Sequence, residues 1–316
     1  MQLRRLGRTD LNVPPLVFGG NVFGWTIDKA TSFALLDRMA QAGLTALDTA
    51  DVYSRWAPGN NGGESETIIG EWLKTSGKRS TTTVITKVGS TMGEGRTGLS
   101  AAYIASACED SLKRLGIETI DLYLAHFPDA QTPHEVTLEA FAALKKAGKI
   151  RWFGCSNYDA ALLHASLDAA TGADLARYEV LQPEYNLYDR AAFEGPLRDL
   201  CVAQEIGVIP YFSLAMGFLS GKYRSEADLS ASLRGASAKK YLNPRGFRIL
   251  AALDETGARH DAKPAEVALA WLAAQPGVSA PIASATNLAQ LESLIAAATL
   301  RLTAQDIATL DAASAP

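Results

Sequence analysis

The residues ALDTADVY, at positions 46–53, decide how the chain reads. The stretch begins apolar and β-compatible, then delivers Asp48 and, a few residues on, Tyr53. Two further apolar runs end on polar residues of matching chemistry: VITKVG places Lys87, and DLYLAHFPD places His126. A lysine at the buried end of an apolar strand needs a charged partner or a path to solvent. A carboxylate beside it keeps it charged and in place. An ammonium beside a tyrosine favours the phenolate and lowers the tyrosine pKa from its reference of about 10. A histidine close by can donate a hydrogen bond to a substrate oxygen. Together the four side chains can protonate a carbonyl oxygen as a hydride reaches the carbon. Taken singly, each has a plainer reading: Asp48 as a cap or loop-satisfied acid, Tyr53 as a packing aromatic with a wet tip, His126 as a satisfied core residue.

Outward from this stretch, apolar runs alternate with helical patterns along the whole chain. Candidate strands cover 16–20, 44–47, 83–86, 121–125, 150–154, 178–182, 208–211 and 279–283. Helices between them open on signals such as Asp28, Ser100 and Pro133 and close on Gly43, Gly116 and Gly148. One of these helices is expected over 191–204. A hairpin with its turn at Gly7, Arg8, Thr9 and Asp10 precedes the first strand. The poorly periodic segment 213–260 reads as a long loop with some helix, and Thr303 caps a C-terminal helix. Eight strand–helix units with right-handed crossovers fit a closed (β/α)8 TIM barrel, an α/β fold spanning 1–316 as one domain. In such a barrel all four polar strand ends fall at the C-terminal face, where barrel enzymes keep their sites. The rival doubly wound sheet would carry GxGxxG after its first strand; none occurs, and GGNVFG has the wrong spacing.

Composition narrows the partners. The 316 residues are 47% hydrophobic with a formal net charge of −4, and no basic stripe points to nucleic acid. No apolar run approaches the roughly 20 residues of a membrane span, and the N-terminal arginines are followed by no apolar signal core. The expectation is a cytoplasmic protein acting on small molecules. Cys108, Cys155 and Cys201 are scattered with no CxxC, which argues against a disulfide frame or a zinc site and for buried thiols. No metal is expected.

The wording LDTADVY, TKVG, LYLAHFPD, GCSN, LQPEYN and LAMGFLSGKY, in that order from about Leu6 to the C-terminus, resembles the aldo-keto reductases. The resemblance implies a barrel oxidoreductase that uses NADP, with NAD possible, on a carbonyl or alcohol substrate. It assigns Asp48, Tyr53, Lys87 and His126 to catalysis, with Tyr53 as general acid. It gives Ser156, Asn157 and Gln182 to the nicotinamide carboxamide and Tyr211 to ring stacking. Gly20 and Asn21 join the cofactor site. Phe212, Ser213, Leu214 and Gly217 with Lys222 form the diphosphate segment, and Arg234 is a candidate adenosine or phosphate clamp. Ser284, Thr286 and Gln290 hold the adenosine end.

The chain departs from the family's usual wording in two places. Phe212 and Ser213 stand where Ser and Pro are common. No Arg or Lys lies in PIASATNLAQLESLIAA to pair with a 2′-phosphate, and the usual Glu-Asn pair is absent. Phe23, Trp25, Trp56 and Phe127 are candidate substrate walls, suited to an apolar or aromatic carbonyl or the flat face of a sugar. Three other functions remain in view. One is a sugar or alcohol dehydrogenase working in the oxidative direction. Another is a cofactor-sensing regulatory subunit, which would carry an extra N-terminal partner segment; the hairpin beginning at the first residue counts against it. The third is a barrel glycosidase, which needs paired carboxylates; Glu64 and Glu66 read instead as first-turn dipole partners.

Overall fold

The computed structural model describes residues 1–232 and 235–315. Two short strands, β1 (Arg4–Arg5) and β2 (Asn12–Val13), pair antiparallel. Their turn is fixed by Thr9, whose hydroxyl donates to the Leu6 carbonyl at 2.6 Å. The chain then alternates: β3 (Val17–Gly19), α1 (Lys29–Gln41), β4 (Ala46–Asp48), α2 (Glu64–Ser76), β5 (Thr83–Val88), α3 (Ala101–Leu115), β6 (Ile120–Ala125), α4 (His134–Lys146), β7 (Ile150–Ser156), α5 (Ala160–Gly172), β8 (Val180–Gln182), α6 (Pro196–Ala203) and β9 (Gly207–Val208). After β9 come α7 (Gly235–Ala238), α8 (Pro244–His260), α9 (Pro264–Ala273), β10 (Ile282–Ala283), α10 (Leu288–Thr299) and α11 (Ala304–Ser314).

Strands β3 to β10 form one parallel sheet in sequence order, with β10 beside β3. The ring closes between β9 and β10 through Ser279 and Ala280 N–H to the Val208 carbonyl and Ile282 N–H to the Pro210 carbonyl. This is the (β/α)8 barrel that the strand–helix rhythm predicts.

The two-residue period of a strand sorts side chains between two cores. On β6, Leu122 and Leu124 point into the barrel, while Tyr123 joins the outer layer between sheet and helices. Ile85 and Val84 divide the same way on β5. The hairpin supplies Leu6, Leu11 and Val13 to the inner cluster, so it plugs the barrel at the end opposite the polar strand termini. At Gly154 a Cβ would lie 2.1 Å from the Val180 carbonyl oxygen, so only glycine lets β7 and β8 approach this closely. No helix among the described residues is long and apolar enough to cross a membrane.

Two expectations are corrected. The segment after β9 is less loop-like than its composition implies: α8 is a 17-residue helix. Asn243 caps it by accepting from Gly246 N–H, Pro244 occupies its first position, and Ile249, Leu250 and Leu253 are buried. Its many arginines and acids hide that stripe in the sequence. Likewise α6 begins at Pro196 rather than near Ala191, because Gly195 takes φ 85°, ψ −128° and breaks any earlier helix.

Candidate active site

The polar strand ends converge. Lys87, at 0% exposure, ends in an ammonium 2.8 Å from Asp48 Oδ2, 2.7 Å from the Thr49 carbonyl and 3.3 Å from the Tyr53 hydroxyl. Burial works against its charge, but Asp48 and Tyr53 more than offset this and hold its pKa above the ordinary lysine value. Asp48 is itself 3% exposed, and its second oxygen accepts from Gln182 Nε2 at 2.8 Å. Both carboxylate oxygens are thus held, which fixes the acid that fixes the lysine.

His126 follows β6, its ring edge-on to Tyr53 with centroids 6.0 Å apart. Burial first, and the Lys87 charge second, depress its pKa well below the usual histidine value, so the ring is neutral. Its Nδ1 is buried without a hydrogen-bond partner among the described residues.

A second network joins the next strands. Tyr211 donates to Asn157 Oδ1 at 2.6 Å, and Asn157 Nδ2 donates to the His126 carbonyl at 2.8 Å and to Ser156 Oγ at 3.2 Å. Ser156 Oγ donates to the Gln182 carbonyl at 2.8 Å. The amide and hydroxyl groups therefore orient one another, and through Gln182 they reach Asp48. Asn157 takes φ 63°, a left-handed conformation that asparagine tolerates better than most residues.

These groups line one cleft of about 1200 Å³ at the C-terminal end of the strands. Asp48, Tyr53 and His126 lie on its wall, together with Asn21, Ser156, Asn157, Gln182, Tyr211, Phe212, Ser213, Leu214, Gly217, Lys222, Ser284, Thr286 and Gln290. Trp25, Trp56 and Phe127 line it as well. Trp56 packs edge-on against both Trp25 and Tyr53, and Phe127 stacks on His126 with centroids 4.8 Å apart.

Two predicted residues do not reach the cleft. Phe23 is 0% exposed and stacks on Phe18 in the core, turned inward by the 3-10 turn Gly20–Val22. Gly20 faces Ser65, whose hydroxyl donates to its carbonyl at 2.8 Å; the neighbouring Gly19 lines the cleft instead. Arg234 lies outside the described residues.

Sequence reasoning missed several participants. Glu64 does more than sit in a first helical turn: its carboxylate accepts from Ser54, Asn61 and Gly62 N–H, tying down the loop that follows Tyr53. Glu66 is buried, paired with Arg114 Nε at 2.6 Å and accepting from Thr86 at 2.6 Å. Neither Glu64 nor Glu66 lines the cleft, where a glycosidase would need its paired carboxylates. Asp51 is 2% exposed with neither oxygen hydrogen-bonded among the described residues. Burial, then the Glu66 charge, push its pKa up to about 8. Lys263 also lines the cleft, at the mouth of α9. No sequence signal marked it.

The sequence model of the Aldo/keto reductase family matches residues 15–315. The chain belongs to the aldo/keto reductase family. Aldo-keto reductase str7 of Strobilurus tenacellus is 33% identical over 87% of this chain and 79% of its own length. The uncharacterized oxidoreductase YrpG of Bacillus subtilis is 33% identical over 96% of this chain and 92% of its own. A probable voltage-gated potassium channel subunit beta from Oryza sativa subsp. japonica is 32% identical over 92% and 89%. The protein is thus an oxidoreductase of the aldo-keto reductase type.

Proposed function

We propose that this aldo-keto reductase reduces aldehydes or ketones to alcohols with NADPH, Tyr53 serving as general acid. The observation that carries the reading is the Lys87 ammonium, bonded at once to Asp48 and to the Tyr53 hydroxyl. The cleft fits a dinucleotide. Phe212, Ala215, Met216 and Gly217 all take positive φ, and the backbone N–H groups of Ser213 and Leu214 donate to no acceptor among the described residues. Such a turn presents N–H groups to an anion, with Lys222 beside it: a Cβ added at Gly217 would lie 3.1 Å from its Nζ. Ser156, Asn157 and Gln182 then hold the carboxamide end, and Tyr211 backs the ring.

When bound, the nicotinamide supplies the hydride. The chain's residues do the rest. Tyr53 releases its proton to the carbonyl oxygen, and Lys87 stabilises the negative charge left on the phenol oxygen. Asp48, held by Gln182, keeps Lys87 in register. Neutral His126 orients the carbonyl oxygen, and Trp25, Trp56 and Phe127 wall an apolar substrate. In the reverse direction the phenolate accepts the alcohol proton.

The test is Tyr53→Phe. Cofactor affinity, followed by fluorescence, should stay within about threefold, whereas turnover of a carbonyl panel, followed by nicotinamide absorbance, should fall by roughly 10²–10⁴-fold. Turnover near wild type would remove Tyr53 from the acid role. The rice relative, a probable voltage-gated potassium channel subunit beta by name, points to one alternative, a regulatory subunit; tight cofactor binding with no turnover on any carbonyl would support that instead.

A further inference from the structure

We propose that Lys263 is the residue that recognises the 2′-phosphate of the cofactor, replacing a cation that the strand-eight loop lacks. The inference rests on the dinucleotide reading of the cleft. The cleft wall formed by β10 and the start of α10 presents Ile282, Ser284, Thr286, Asn287 and Gln290, none of them cationic. Thr286 is also already engaged, its N–H and hydroxyl both donating to Gln290 Oε1 at 2.8 and 3.0 Å. The cationic side chains on the described wall are Lys222 and Lys263. Lys222 belongs to the turn at Gly217 and so to the diphosphate. Lys263 opens α9, which is tied to α10 through Glu266 and Ser293 and also abuts the Lys222 turn, where a Cβ added at Gly221 would meet Pro264 at 3.3 Å.

Its position is fixed, although its side chain is exposed. Glu266 Oε2 accepts from the Lys263 backbone N–H at 3.1 Å, while Glu266 Oε1 accepts from Ser293 Oγ at 2.5 Å. That shared carboxylate ties the start of α9 to α10, so Lys263 and Gln290 face one part of the cleft. Lysine is also a poor choice there for the fold. It occupies the N-cap of α9, where Ser, Thr, Asp or Asn would cap and where the helix dipole disfavours a cation. Its ammonium makes no ion pair among the described residues. A cation that the helix disfavours and no acid neutralises is suited to an incoming anion.

The experiment measures binding, not turnover. Dissociation constants of NADPH, NADH, adenosine 2′,5′-bisphosphate and 5′-AMP are determined by calorimetry for wild type, Lys263→Met, Lys263→Arg, Lys222→Met and Arg234→Met. The expected result has three parts. Lys263→Met weakens NADPH and the bisphosphate by about tenfold and shifts NADH and 5′-AMP by less than about twofold, as loss of one charge-assisted contact would. Lys263→Arg keeps the preference. Lys222→Met weakens both dinucleotides alike. An unchanged NADPH-to-NADH ratio in Lys263→Met overturns the proposal, as does loss of the ratio in Arg234→Met alone. Failure of wild type to bind either dinucleotide would instead overturn the functional reading on which it rests.

Discussion

Asp51 shows how far one buried side chain can set the pH behaviour of the molecule. Its pKa is about 8 in the folded state against a reference of about 3.9 in an unfolded chain. Between those values the folded state keeps a proton that the unfolded state has lost. Stability therefore falls as pH rises from about 4 to about 8, and levels off above. Asp51→Asn removes the titration and keeps a neutral group of the same shape. From pH 5 to pH 8.5 the stability of the variant relative to wild type should grow by on the order of 4 kcal/mol, read from urea midpoints at each pH. A difference that stays flat with pH would mean that Asp51 ionises freely in the fold. The same eight-residue stretch shows what a sequence can reveal at this scale. Asp48 was legible, as were Lys87 and His126, because a polar residue that terminates an apolar run has few structural excuses. The burial of Asp51 was not, since it depends on Glu66 and Arg114, brought up by α2 and α3. Phe23 and Trp25 look alike in sequence, yet one 3-10 turn sends the first into the core and leaves the second on the cleft.

At the scale of elements, the regular β/α rhythm was readable because each strand is apolar on both faces and each helix opens or closes on a recognisable residue. Strands β5 and β7 run two residues further than expected, to Val88 and Ser156, so Lys87 and Ser156 project from paired backbone rather than from loops. The sequence was least informative where charge masks an amphipathic stripe, as in α8. That helix depends on its cap, Asn243, more than most. Asn243 accepts from Gly246 N–H at 3.0 Å and also donates to Tyr188 OH at 2.7 Å and to the Lys240 carbonyl at 2.9 Å. Asn243→Ala loses both the cap and these donations and should cost about 1–2 kcal/mol in a denaturation experiment. Asn243→Asp keeps the cap acceptor and should lose less. Equal losses for the two would show that the donated bonds, and not the cap, anchor α8 to the barrel.

Across the whole molecule, the barrel is unevenly sewn, and the cleft lies along one of its thinner seams. Strands β5, β6 and β7 share long registers, from Ile120 opposite Ile150 to Ala125 opposite Cys155 in one pair. The β9–β10 side closes through a few backbone bonds at Val208 and Pro210. Residues on both sides of that seam, Tyr211 to Gly217 on one and Ser284 to Gln290 on the other, line the cleft. A ligand that touches both sides bridges a seam the backbone barely holds, so binding should suppress local opening there more than elsewhere. Hydrogen exchange with and without NADPH tests this. In the free protein the amides of Ser279, Ala280 and Ile282 should exchange faster than those of β6. With cofactor at about 100 times its dissociation constant the global gain is bounded near 2.7 kcal/mol. Seam amides that exchange by local opening should slow by up to about 100-fold, and should do so before any change is seen in β6. Uniform slowing across all strands would mean that the barrel opens only as a whole and that the seam is no weaker than its neighbours.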